Sequence, residues 1–148
     1  MSKQIELPRY EGCFVCGDPA VNPASLQVHS YFEDGVVKAI FVPKSEHGGY
    51  PGIVHGGILV SLLDEISIWA ASIAARSFCV TREFTTKFVK TARLGEELSL
   101  KARVTEHGRL LTVEARIENS QGKIITRSGG RFYPAFKEEW EKRVKWDL

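Results

Sequence analysis

The chain has 148 residues, 43% of them hydrophobic, with 20 basic and 18 acidic side chains. That length supports one domain with a core that needs neither disulfides nor a structural metal. A formal net charge of +2 is too small to argue for a nucleic-acid partner, although dispersed Lys and Arg leave room for a local site taking a phosphorylated ligand.

At the N-terminus, Met1 to Glu6 carry no apolar signal-peptide core, and the longest apolar run is broken by Asp64-Glu65. No stretch therefore reads as a membrane span, and a cytoplasmic protein with no membrane partner is expected. Residues 1–24 read as a cap segment and 25–148 as a single domain, without repeats or long linkers. Three cysteines, an odd number, do not make a disulfide framework. Cys13-Phe-Val-Cys16-Gly17 is followed by no second cysteine pair, although Cys13, Cys16 and His29 could supply three zinc ligands, or two subunits could pool theirs. A thioredoxin-like pair wants a strand end and a helix start, whereas Gly17-Asp18-Pro19 and Asn22-Pro23 make a turn-rich loop. Reduced, partly buried thiols are expected here and no metal is assigned. Cys79, between Phe78 and Val80, reads as a small core hydrophobe.

Leu26 to Phe32 is predicted as a strand, turned by Glu33-Asp34-Gly35 into a second, Val36 to Val42. Pro43 to Val54, punctuated by Gly48, Gly49, Pro51 and Gly52, is a loop. Ile58, Leu59, Leu62, Leu63, Ile66, Trp69, Ala70 and Ile73 then recur at three- and four-residue spacing and predict one buried helix of several turns. After Arg76, Phe78 to Lys90 is β-rich, and Leu94-Gly95-Glu96 breaks it. Leu98 to Thr105 alternates, Glu106 to Arg109 is a hairpin, and Leu111, Val113, Ala115 and Ile117 share one face. Asn119 to Gly122 is another turn, before a strand from Lys123 to Tyr133. The tail, Pro134 to Trp146, opens with proline and has an amphipathic helical look from Trp140 and Val144. An α+β fold, with a curled antiparallel sheet around one apolar helix, satisfies these patterns together, and its exposed sheet edges invite dimerisation.

Between Gly56 and Ala75 the only charged residues are Asp64 and Glu65. An ionised carboxylate in an apolar interior must be hydrated, paired or used. Glu65 reads as marking the solvated face, and Asp64 as functional, because of what begins the same helix. Side chains are absent at Gly56 and Gly57, so a ligand can approach their N–H groups closely. Such free donors, aided by the helix dipole, suit a carbonyl oxygen that gains negative charge during reaction. The same glycines also permit a tight loop-to-helix turn with His55 packed against it, and spacing alone does not separate the two readings. Asp64 lies eight residues beyond Gly56, roughly 12 Å along a helix rising about 1.5 Å per residue. A base and an oxyanion donor must both come within about 3 Å of one carbonyl. If both serve one reaction, they come from different copies of the helix and the site lies between subunits.

His55-Gly56-Gly57 at the helix start, the acid at Asp64, Cys13-Phe-Val-Cys16-Gly17 and Phe88-Val-Lys-Thr-Ala-Arg-Leu-Gly95-Glu together resemble the hotdog-fold acyl-CoA thioesterases. The likeness covers nearly the whole chain and is greatest to the phenylacetate-pathway (PaaI-like) type of the 4-hydroxybenzoyl-CoA thioesterase superfamily. The resemblance implies a homodimer, paired into a dimer of dimers, with acyl-CoA as substrate and no further cofactor. It implies that Asp64 is the catalytic acid, as nucleophile or as the base that activates water. Gly56, with Gly57 beside it, would polarise the thioester carbonyl, His55 would help to position it, and Thr81 would orient the hydrolytic water. Lys87, Lys90 and Arg109 fall near positions that resemble nucleotide contacts. Ile53, Leu59, Leu63 and Ile68 are expected to line the acyl pocket. One departure stands out: relatives often carry Asn or Gln six residues before the histidine, where this chain has Gly49. The rival readings are a hydratase or dehydratase on the same fold, whose acid and histidine pair is not seen here, a non-catalytic acyl-CoA sensor, and a zinc-dependent module built on Cys13 and Cys16.

Overall fold

A computed structural model describes residues 3–145 of the chain. In chain order its elements are β1 (Ile5–Glu6), β2 (Ser30–Glu33), β3 (Val36–Phe41), a 3-10 turn (Ser45–His47), α1 (Gly56–Ala75), β4 (Phe78–Phe88), β5 (Leu98–His107), β6 (Leu111–Glu118), β7 (Ile124–Phe136) and α2 (Lys137–Arg143). Among the described residues the seven strands form one antiparallel sheet in the order β1-β2-β3-β5-β6-β7-β4. Alternation explains why one face is dry: Leu98, Leu100 and Ala102 of β5 and Leu111, Val113, Ala115 and Ile117 of β6 are buried, while Arg103, Glu114 and Arg116 face away. α1 lies across that dry face, against β3 to β7. It buries Leu59, Leu62, Leu63, Ile66, Trp69, Ala70 and Ile73, the register its periodicity predicts. This is the hotdog architecture.

By length and hydropathy alone, α1 is apolar enough to cross a membrane, with a mean hydropathy of 1.7 over its best window. The expectation that no stretch reaches that threshold is therefore corrected. What marks α1 as a core helix is the sheet wrapped round it rather than its composition. Arg76 ends it in the left-handed region (φ 53°), its N–H turned back onto the Ile73 carbonyl.

Three local expectations change. Leu26 to His29 is not a strand: Gln27 takes a positive φ of 59°, and the Leu26 and Val28 amides donate to the Phe14 and Val15 carbonyls. The segment is stitched to the cysteine-bearing loop instead of to a sheet neighbour, and Leu7, Val15, Leu26 and Val28 join the common core. The Asp34-Gly35 turn, both residues at positive φ, closes the shorter β2–β3 hairpin. Pro134 does not open the terminal helix but lies within β7, opposite Cys79 and next to a register shift. β6 pairs with β7 only as far as Phe132, so the missing N–H of Pro134 breaks no ladder on that side. Trp146, the end of the predicted helical tail, lies outside the described residues.

A second register shift falls between Thr81 and Glu83, where Arg82 is the extra residue of a β-bulge in β4. Its guanidinium lies over the Tyr133 ring, 4.6 Å from the centroid. At the start of β4, Trp140 of α2 packs against Trp69 and Phe78, with ring centroids 6.3 and 5.2 Å away. Trp140 is 5% exposed, so α2 is held by one large buried anchor. Trp140→Ala should therefore cost about 3–5 kcal/mol in a denaturant unfolding series. A loss below about 1 kcal/mol would mean that α2 adds nothing to the core.

Candidate active site

Asp64 sits at the middle of α1, on the side turned toward the edge strand β4. The Thr81 hydroxyl donates to Asp64 Oδ1 at 2.7 Å. Partial burial raises the Asp64 carboxyl above the ordinary aspartate range, and the Thr81 hydrogen bond pulls it part of the way back. The result is a half-buried carboxylate with one oxygen oriented and the other free to act on a ligand. Such a group is suited to taking a proton at neutral pH.

At the helix start, His55 is the N-cap, and its Nδ1 accepts the Gly57 N–H at 2.8 Å. With Nδ1 accepting, the ring proton sits on Nε2, which points a donor outward. Of the two glycine amides the sequence singles out, Gly57 is thus capped from within. The Gly56 N–H has no acceptor among the described residues and lies at the positive end of a 20-residue helix. A Cβ at Gly56 would touch the Phe88 ring at 3.4 Å, so the amide lies beside the far end of β4.

The departure at position 49 has a local cause. A Cβ on Gly49 would approach His55 Cα and Cδ2 at 3.3 and 3.4 Å, so a side chain there would press on the histidine. Nearby His47 is occupied otherwise: its Nδ1 accepts from the Lys44 amide at 2.9 Å and its carbonyl accepts from the His55 amide. Burial lowers its pKa from the usual value. Tyr50 points into solvent.

The remaining predicted residues are not gathered together. Lys87 lines a cavity of about 830 Å³ on the sheet face away from α1, shared with Lys38, Lys101, Arg116 and Arg127. Lys90 lies just past β4, its amide on the Ile125 carbonyl, and Arg109 is in the β5–β6 hairpin; neither lines that cavity. Of the proposed acyl-pocket residues, Leu59 and Leu63 are buried in the core under the sheet, while Ile53 and Ile68 are only partly covered.

The expectation for Glu65 is corrected. It is not on a solvated face but beneath the N-terminal loop, with Oε1 3.8 Å from Cys13 Sγ. Burial, and next the charge on Cys13, push its carboxyl up to about 7. Adjacent helix positions differ by about 100° around the axis, so Asp64 and Glu65 face different neighbours, β4 for one and the N-terminal loop for the other. The sequence offered no sign of this, because the segment that covers Glu65 lies some fifty residues away. His29 is not with the cysteines; its ring nitrogens face Arg9 at 2.8 Å and Glu6 at 3.7 Å.

The Thr81–Asp64 bond can be tested directly. Thr81→Val removes a donor to the ionised carboxylate, so the Asp64 pKa should rise further in a carbon-13 NMR titration. A pKa that stays in place would remove Thr81 from the site.

Comparison with known proteins points one way. A family model described as "Thioesterase superfamily" matches residues 51–126, from the loop before α1 into β7. A protein of Archaeoglobus fulgidus named "Putative esterase" is 29% identical over 102 residues, 68% of this chain and 66% of its own length. The crystal structure of a thioesterase superfamily protein superposes with a TM-score of 0.75 at 25% identity, over 83% of this chain and 60% of that one. A Streptococcus mutans UA159 protein, solved bound to acetyl CoA, shares the fold with a TM-score of 0.67 at 24% identity, over 72% of this chain and 86% of its own. The chain thus spans about two thirds of the curated relative's length.

Proposed function

This chain belongs to the thioesterase superfamily, and on that premise we propose that it hydrolyses an acyl-CoA thioester to the free acid and CoA, as an enzyme of the phenylacetate-pathway type. The observation that carries this reading is the oriented, half-buried carboxylate of Asp64, held by Thr81 at 2.7 Å on the same helix that begins with a free Gly56 N–H. The acetyl CoA bound by the Streptococcus mutans protein supports a ligand of this chemistry.

In the proposed reaction Asp64 takes a proton from a water molecule, and the hydroxide forms a bond to the thioester carbonyl carbon. The Gly56 N–H holds the oxygen as it becomes negative, helped by the helix dipole. The C–S bond then breaks, the thiolate leaves, and the Asp64 proton passes to it. Thr81 positions Asp64, and His55 Nε2 is the donor nearest the carbonyl end. A thiolate is a good enough leaving group that no stronger acid is needed.

The distance along α1 supports a site shared between two subunits, and β4 supports the same arrangement. This strand is a long sheet edge with Thr81 near Asp64 at one end and Phe88 against Gly56 at the other. Two such edges paired antiparallel about their middle would set Thr81 of one copy opposite Phe88 of the other. Each Asp64 would then lie near a partner's helix start. The homodimer proposed here therefore carries two composite sites.

Asp64→Asn keeps the shape and removes the charge, so thiol release from a panel of acyl-CoAs should fall about 10²-fold or more. Its folding should not suffer. The raised Asp64 pKa means that the folded form holds the proton more tightly than the unfolded chain. Stability therefore falls as pH rises through that range, and the ionised group is a cost at neutral pH that asparagine removes. The melting temperature should be equal or higher; full turnover by a folded Asp64→Asn protein would end the proposal.

Gly56→Pro tests the other half. Proline is tolerated at the first helical position but has no N–H to donate. Each variant alone should be nearly inactive, whereas hybrid dimers of Asp64→Asn with Gly56→Pro rebuild one intact site of the two. Recovered activity after subunit mixing supports the composite site, and none recovered places both groups in one subunit.

A further inference from the structure

Cys13, Cys16 and Glu65 take no part in the thioester chemistry, yet the fold brings them together. Their Sγ and carboxylate oxygen atoms all lie within 4.8 Å of one another. We propose that these three side chains hold a divalent metal ion of the zinc class, which ties the N-terminal segment to α1.

The turn that carries the cysteines is built as a thiolate cradle. The Val15 and Cys16 amides both point at Cys13 Sγ, at 3.4 and 3.3 Å. N–H groups aimed at sulfur favour the thiolate, which is the form that binds a metal. The turn then closes through the Gly17 amide onto the Cys13 carbonyl at 2.8 Å. A Cβ at position 17 would lie 2.2 Å from that carbonyl oxygen and 2.6 Å from the Glu11 carbonyl, so only glycine completes it. A pair of thiols kept merely as core hydrophobes needs none of this.

The third group comes from another element. Glu65 is set into the underside of the loop by α1, and none of the ion pairs among the described residues involves it. The Cys13 thiol donates to it at 3.8 Å, and a cation between sulfur and carboxylate would supply the counter-charge that a largely covered carboxylate wants. A zinc ion with Zn–S near 2.3 Å and Zn–O near 2.0 Å in tetrahedral geometry wants its two sulfurs about 3.8 Å apart and each about 3.5 Å from the oxygen. Cys13 Sγ and Glu65 Oε1 are 3.8 Å apart, so that pair has to close by about 0.3 Å. Sulfur with oxygen donors fits zinc better than magnesium or calcium, which take oxygen alone. Three protein ligands leave the fourth position to water. Binding releases the two thiol protons to the buffer.

The test uses untagged protein stripped with a chelator and titrated with cobalt(II) as a spectroscopic stand-in. One equivalent should bring up a thiolate-to-cobalt charge-transfer band and the visible bands of tetrahedral cobalt. The charge-transfer band should vanish in the Cys13→Ser, Cys16→Ser double variant, and affinity should fall about tenfold or more in Glu65→Gln. A measurement on the wild type alone guards against variants that do not fold: zinc should protect Cys13 and Cys16 from iodoacetamide, read by peptide mass spectrometry. The proposal is overturned by the absence of a charge-transfer band, by thiols alkylated equally with and without zinc, or by a Cys13–Cys16 disulfide recovered in place of a metal-binding dithiol.

Discussion

A helix is a rod, and this one carries its two chemically useful points more than two turns apart. Neither the free Gly56 amide nor the Asp64 carboxylate can move toward the other without breaking α1, and α1 is packed against five strands. In the proposed reaction, that fixed interval makes a lone copy of the chain two halves of different sites. It also gives the edge strand β4 its importance, since β4 touches both points and, among the described residues, is unpaired on its outer side.

The same helix shows how a fold can carry charge inside an apolar rod. Asp64 and Glu65 are neighbours in sequence but are handled by different means. Asp64 is turned to the strand that supplies a hydroxyl, and Glu65 to a loop that supplies two sulfur atoms. Each stands above the ordinary carboxylate range because of burial. Setting them about 100° apart around the axis lets one helix present one carboxylate to β4 and the other to the N-terminal loop.

How much of this the sequence disclosed depended on whether the deciding contact was local. The span of α1 follows from three- and four-residue spacing, and the strands from alternation, because each pattern reports burial against a neighbour of predictable direction. Asp64 could be singled out because a carboxylate is improbable in such a run, and Gly56 because a bare amide at a helix start has a use. The role of Glu65 was hidden, since the loop that covers it is remote in sequence. Leu26 to His29 looked like a strand for a related reason. Its apolar alternation is real, with Leu26, Val28 and Ser30 buried, but the partner is a loop and Gln27 turns the chain. Pro134 misled because proline commonly opens a helix, whereas β7 runs on through it at a point where the strand is paired on one side.

The bulge at Arg82 has a consequence for the pleat itself. Side chains along a strand alternate between faces, so Thr81 and Phe88, seven positions apart, would point in opposite directions on a regular β4. The extra residue shifts the parity. Cys79 and Thr81 turn inward before it, and Phe84, Thr86 and Phe88 after it, which lets Thr81 meet Asp64 and Phe88 meet Gly56 from the same face. Arg82 thus acts as the single beat that keeps two halves of a strand in phase with two ends of a helix. Its identity matters less than its presence: many residues can occupy a bulge, but a chain one residue shorter there would have to turn one of the two contacts out of the protein.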